Sequence, residues 1–218
     1  MTLDLRCYLV TSGTGRRTVE TAAAAAAGGA GMIQVRDKQA STAELLELTC
    51  AAAAAVHRAR PCARVVVDDR ADVAFAARRL GAEVHGVHLG QDDLPVASAR
   101  AMLGPEAIIG LTTGTLETVR GAEELQELLD YVGAGPFRPT PTKDSGRTPL
   151  GVDGYRSLVA ETGLPVVAIG GITAQDVPSL AGTGIAGVAL VRELMDADDP
   201  ERAAREIVSA LESGRASR

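Results

Sequence analysis

Aromatic side chains are nearly absent from this chain: three tyrosines, two phenylalanines and no tryptophan in 218 residues. That scarcity removes any stacking platform for single-stranded bases and leaves the core to small and branched aliphatic residues. Basic charge is short as well, since 22 Lys and Arg against 28 Asp and Glu give a net charge of −6. A nucleic-acid partner, which would need a broad basic face, is therefore not expected, and any anion site must be local. Cysteine is sparse and odd in number; Cys7, Cys50 and Cys62 lack metal-type spacing, so buried free thiols are expected rather than a disulfide or a zinc site. Long apolar runs are missing too. The start MTLDLRCYLV has no basic region followed by an apolar stretch, and the alanine runs at 22–27 and 51–55 are too short to span a bilayer. A cytoplasmic protein without a membrane partner is expected.

What is present is a regular alternation. Short β-type runs fall at 6–10, 32–36, 65–68, 86–89, 108–112, 131–134, 166–169 and 187–191. Between and after them lie helical patterns at 18–27, 42–59, 71–80, 95–103, 115–128, 152–162, 174–181 and 200–212. Ser41 or Thr42 with Glu44 in the first turn, and Pro200 followed by Glu201, read as helix starts. About eight βα units in this length favour a (β/α)8 TIM barrel over an open doubly wound sheet. No linker or composition break divides residues 1–218, so one domain is expected.

In a barrel the C-terminal strand ends carry the chemistry. The second run, MIQVRDK, can turn Gln34, Arg36 and Lys38 to one side, and two cations at one rim suit a diphosphate; a solvated loop with an Asp37 ion pair is the alternative. The third and fourth runs end VVVDDRAD and GVHLGQDDLP. Adjacent strands would bring Asp69 and Asp93 near one cation, with Asp68 and Asp92 beside them, and magnesium suits oxygen ligands completed by phosphate and water. Helix capping by these aspartates is the competing explanation. His85 and His88 lie three apart on a strand, so they face opposite ways and read as core or hydrogen-bonded histidines. Thr112 at the fifth strand end is either an N-cap or a hydroxyl for a ligand.

After the sixth run, GPFRPTPTKDSGRTPLG crowds Thr140, Thr142, Lys143 and Arg147 into one loop, which reads as a phosphate clamp or as a solvated connection. Gly170 and Gly171 after the seventh run allow close backbone approach to a phosphate, or serve as turn residues. No Walker-type GxxxxGK[ST] occurs, and the GTG at 13–15 is weak, so ATP hydrolysis is unsupported.

Taken in order, QVRDK, DDRAD, GVHLGQDDLP, IGLTT, DYVGAGPFRPTPTK, VVAIGGI and GVALVRE resemble the thiamine-phosphate synthase family over nearly the whole chain. The resemblance implies a magnesium-dependent barrel enzyme that joins a hydroxymethylpyrimidine diphosphate to a thiazole phosphate. It places Gln34, Val35, Arg36, Asp37 and Lys38 on the pyrimidine diphosphate, together with Asp68, Thr112 and Lys143. It places Thr140, Pro141, Thr142, Gly171, Val191 and Arg192 on the thiazole phosphate, and Asp69 and Asp93 on magnesium. Arg36, Lys38, Lys143 and Thr112 become the catalytic candidates. Several positions depart from the family's usual pattern: Asp68 stands for asparagine, Thr112 for serine, Arg138 for an aromatic residue and Arg192 for serine. Gly114 stands where related thiazole tautomerases carry a catalytic histidine, and glycine cannot transfer a proton. A tautomerase and a catalytically silent phosphate-binding barrel are the rival functions. The sequence leaves a homo-oligomer open.

Overall fold

The computed structural model describes residues 3–139 and 148–216. Eight short strands, β1 (Cys7–Val10), β2 (Met32–Val35), β3 (Arg64–Asp68), β4 (Gly86–Leu89), β5 (Ile108–Thr113), β6 (Tyr131–Ala134), β7 (Val166–Ile169) and β8 (Gly187–Leu190), pair in parallel and in sequence order. Pairing of Cys7 with Val188 and Tyr8 with Ala189 closes the cylinder. The protein is a TIM barrel, as the alternation of periods led us to expect.

Around it lie α1 (Arg16–Ala27), α2 (Thr42–Ala59), α3 (Ala71–Arg79), α4 (Val96–Leu103), α5 (Leu116–Glu123), α6 (Gly151–Val159), α7 (Val177–Ala181), α8 (Arg192–Met195) and α9 (Pro200–Ala216). Ser41 caps α2 through a reciprocal pair with Glu44, so the sequence signal at that start is realised. Two segments differ from expectation. The helix expected over 115–128 stops at Glu123, because tighter turns follow, with Leu125 N–H on the Ala122 carbonyl and Leu128 N–H on that of Leu125. Those turns bring Leu129 into the core just before β6 begins. The short α8 directly after β8 carries too few residues for a periodic signal.

Strand alternation sorts the core into two layers. Outward residues such as Cys7, Leu9, Ile33, Val35, Val65 and Val67 pack with the helices, where buried alanines of α1 and α2 let helix and sheet approach closely. Inward residues Tyr8, Val10, Met32, Val66, Ile108, Tyr131, Val167 and Ala189 fill the barrel itself.

Tyrosines fit inside so narrow a cylinder because glycines face them. Gly110 pairs in register with both His88 and Tyr131, and a Cβ there would overlap the Tyr131 ring and lie 2.6 Å from His88 Nδ1. A Cβ at Gly133 would stand 3.1 Å from His88 Cε1. Gly110→Ala should therefore destabilise the fold by about 1–3 kcal/mol, the usual cost of overpacking a filled core. Urea unfolding would show this as a lower midpoint with an unchanged slope.

Candidate active site

The C-terminal ends of the strands surround a cavity of about 400 Å³. Its floor is made by Tyr8, Tyr131 and His88, its wall by Gln34, Arg36, Asp68, Thr112 and Thr113, and its far side by Gly170, Gly171, Thr173, Val191 and Arg192.

β2 delivers Gln34 and Arg36 to the cavity by alternation, and Thr11 at the end of β1 fixes the turn that follows: its hydroxyl accepts from the Arg36 N–H at 2.9 Å. The guanidinium then reaches Asp68, with Nε 3.1 Å from Oδ2. Lys38 pairs with Asp69 and lies 3.6 Å from Asp68. Two cations and two carboxylates thus meet where β2 and β3 end. Asp69 sits at φ +58°, a left-handed conformation unusual outside glycine, while its N–H donates to the His88 carbonyl at 2.7 Å. This backbone strain is held by the neighbouring strand end, as is common where a side chain must be aimed.

Burial, with the charge of Asp69 beside it, raises the Asp68 carboxyl to about 6 against the pull of Lys38 and Arg36. Burial also works against ionisation of Asp69, but hydrogen bonds from Lys38 and Asp93 hold it below its ordinary value. Burial and the hydrogen bond to Asp69 push Asp93 up. Asp93 also accepts the Gly90 N–H at 2.7 Å, which folds the loop after β4 inward.

Among the described residues no group of three or more His, Cys, Asp or Glu side chains could hold a metal ion. The Asp69–Asp93 pair is an oxygen-only donor set, which suits a hard cation completing its shell with water and substrate phosphate. Magnesium fits these residues on that chemistry.

Not every expected residue reaches the cavity. The Val35 side chain is fully buried in the sheet–helix layer, so alternation removes it from the ligand side. Among the described residues Asp37 makes no ion pair; its carboxylate accepts the N–H groups of Gln39 and Ala40 and shapes the loop before α2. Thr112 is not an N-cap, a role taken by Thr115 on α5; it lines the cavity, and its hydroxyl meets His88 Nε2 at 2.9 Å. Thr140, Pro141, Thr142, Lys143 and Arg147 lie outside the described residues. Arg138, at the start of that segment, pairs with Asp176, stacks over the Phe137 ring at 4.9 Å and covers the face of Gly171. It ties the loop after β6 to the glycines after β7, and Asp176 in turn accepts the Thr173 N–H at 2.8 Å. Tyr8 lies in no motif, and Tyr131 and His88 stand inside DYVGAG and GVHLGQDDLP without the spacing marking them as site residues; alternation turns them inward without showing that they meet.

A closed parallel barrel with cations and carboxylates gathered at its C-terminal rim, around a cavity of small-molecule size, defines an enzyme of the (β/α)8 class that handles anionic substrates. Residues 7–194 match the family model described as thiamine monophosphate synthase. The chain is 58% identical over 215 residues to a thiamine-phosphate synthase of Corynebacterium efficiens, covering 98% of each. It is 56% identical to that of Corynebacterium jeikeium, covering 95% of this chain and 94% of the other. A solved thiamine phosphate pyrophosphorylase from Pyrococcus furiosus superposes with a TM-score of 0.83 at 33% identity, covering 97% of this chain and 98% of that one. The chain belongs to the thiamine-phosphate synthase family.

The raised Asp68 carboxyl gives a signed pH prediction. A carboxyl whose folded value of about 6 exceeds the ordinary 3.8 penalises the native state once ionised. That penalty is absent below the ordinary value and grows as pH rises from there through about 6. Asp68→Asn should therefore gain stability relative to the parent across that interval and hold a constant offset above it. Urea unfolding of both proteins at several pH values measures the difference; an offset flat across the interval would contradict the assignment.

Proposed function

We propose that the barrel mouth is where this chain carries out the reaction of its family, as a transferase of thiamine biosynthesis acting from one barrel domain. The substrates are 4-amino-2-methyl-5-hydroxymethylpyrimidine diphosphate and 4-methyl-5-(2-hydroxyethyl)thiazole phosphate or its carboxylated form; the products are thiamine phosphate and diphosphate. The observation that carries the placement is the convergence of Arg36, Lys38, Asp68 and Asp69 where β2 and β3 end, with Arg36 and Asp68 lining the cavity.

The reaction is read as a dissociative substitution. The bond from the pyrimidine methylene carbon to the diphosphate oxygen breaks with its electron pair leaving on diphosphate, and the thiazole nitrogen then supplies the pair for the new C–N bond. No protein nucleophile is needed. Arg36 and Lys38, with Lys143, receive the departing negative charge, while Asp68 aims the Arg36 guanidinium. Asp69 and Asp93 would hold magnesium, which when bound supplies positive charge against the diphosphate oxygens. Gln34 and Thr112 orient the pyrimidine, and the backbone at Gly171 and at Val191 and Arg192, with Thr140 to Thr142, takes the thiazole phosphate. A cavity walled by buried strands limits the water that would trap the cation as an alcohol.

A tautomerase reading finds no proton-transfer group at Gly114, whose N–H is spent on the Thr118 hydroxyl at 3.2 Å. Purified protein with both substrates and magnesium should yield thiamine phosphate and diphosphate only in the complete mixture. Tautomer conversion without the pyrimidine would favour the isomerase instead, and binding without conversion a silent barrel. Lys143→Ala should depress turnover by roughly a hundredfold or more, the usual cost of losing one charge-stabilising contact. Unchanged turnover would remove Lys143 from the mechanism.

A further inference from the structure

Five side chains from five strands form an unbroken hydrogen-bonded line across the barrel floor that ends at Thr112. Gln34 Nε2 donates to Tyr8 Oη at 2.8 Å, Tyr8 Oη lies 2.7 Å from Tyr131 Oη, Tyr131 Oη lies 3.0 Å from His88 Nδ1, and His88 Nε2 lies 2.9 Å from Thr112 Oγ1. We propose that this line sets the proton polarity of the Thr112 hydroxyl, so that Tyr8, Tyr131 and His88 are positioning residues that hold it as a donor toward an acceptor atom of the pyrimidine diphosphate. The proposal rests on Thr112 contacting that substrate.

The polarity follows from counting protons. Both phenols are fully buried and burial raises their pKa values, so each keeps one proton that needs an acceptor. Tyr8 already receives the Gln34 amide hydrogen, so it donates to Tyr131. Tyr131, receiving from Tyr8, donates to His88 Nδ1. An imidazole accepting at Nδ1 carries its hydrogen at Nε2, and that hydrogen goes to Thr112 Oγ1. The Thr112 proton is then free to point into the cavity that this residue lines, with no acceptor for it among the described residues. The opposite tautomer, or an imidazolium, would strand a phenol proton in the barrel interior.

Nitrogen-labelled histidine NMR tests the line in the unmodified protein, which has only three histidines, with His88→Gln assigning the signal. The expected result is a neutral Nε2–H ring at pH 7.5. An Nδ1–H ring or an imidazolium would overturn the proposal even if no variant folds. In kinetics, Tyr131→Phe and Thr112→Val should each lower kcat by about tenfold, with KM for the thiazole phosphate unchanged. The double variant should lose little more than either alone. Additive losses would overturn the coupling. Full turnover in Thr112→Val, with the ring still Nε2–H, would instead overturn the substrate contact on which the proposal stands.

Discussion

Tyr131 and His88 stack at 5.5 Å between centroids inside a cylinder that has room for them only because Gly110 and Gly133 carry no side chains. The rest of the site depends on that fit. The rings form the floor of the cavity, and their polar edges supply the middle of the hydrogen-bonded line from Gln34 to Thr112. In a chain so poor in aromatics, two of the three tyrosines are committed to the barrel interior. The third, Tyr155 on α6, donates to the Ala134 carbonyl at 2.8 Å and pins the exit of β6.

Above this floor the charges are arranged to be rearranged. Arg36 and Lys38 are neutralised by Asp68 and Asp69 within the protein itself, which keeps both cations ordered. A diphosphate bound as proposed would bring more negative charge than these carboxylates and compete for the same cations. Arg36 and Asp68 are largely shielded from water and interact over a lower dielectric, whereas Lys38 is half exposed. Asp68 adds a carboxylate to this cluster, and its burial raises its pKa. Arg138 works at the other rim. Its pairing with Asp176 and its cover over Gly171 join two strand-end loops.

Much of this was legible in the residues. Alternating periods gave eight strands and their helices, because burial on two faces and on one stripe leaves different apolar spacings. Strand-end carboxylates and cations also stood out, because charged residues after apolar runs have few places to go in a barrel. Val35 and Asp37 were harder: contiguity with Arg36 suggested a ligand contact, while the pleat turns Val35 outward and Asp37 caps its own loop.

Taken alone, the sequence determined local matters: which segments are strands, which way their side chains alternate, and which chemical groups stand at their ends. Tertiary structure alone decided who meets whom. Tyr8 and Tyr131 are 123 residues apart, and their hydroxyls touch because barrel closure brings β1 and β6 across one interior. The same closure sets Gly110 beside both Tyr131 and His88 through strand register, a non-local quantity that no single segment encodes.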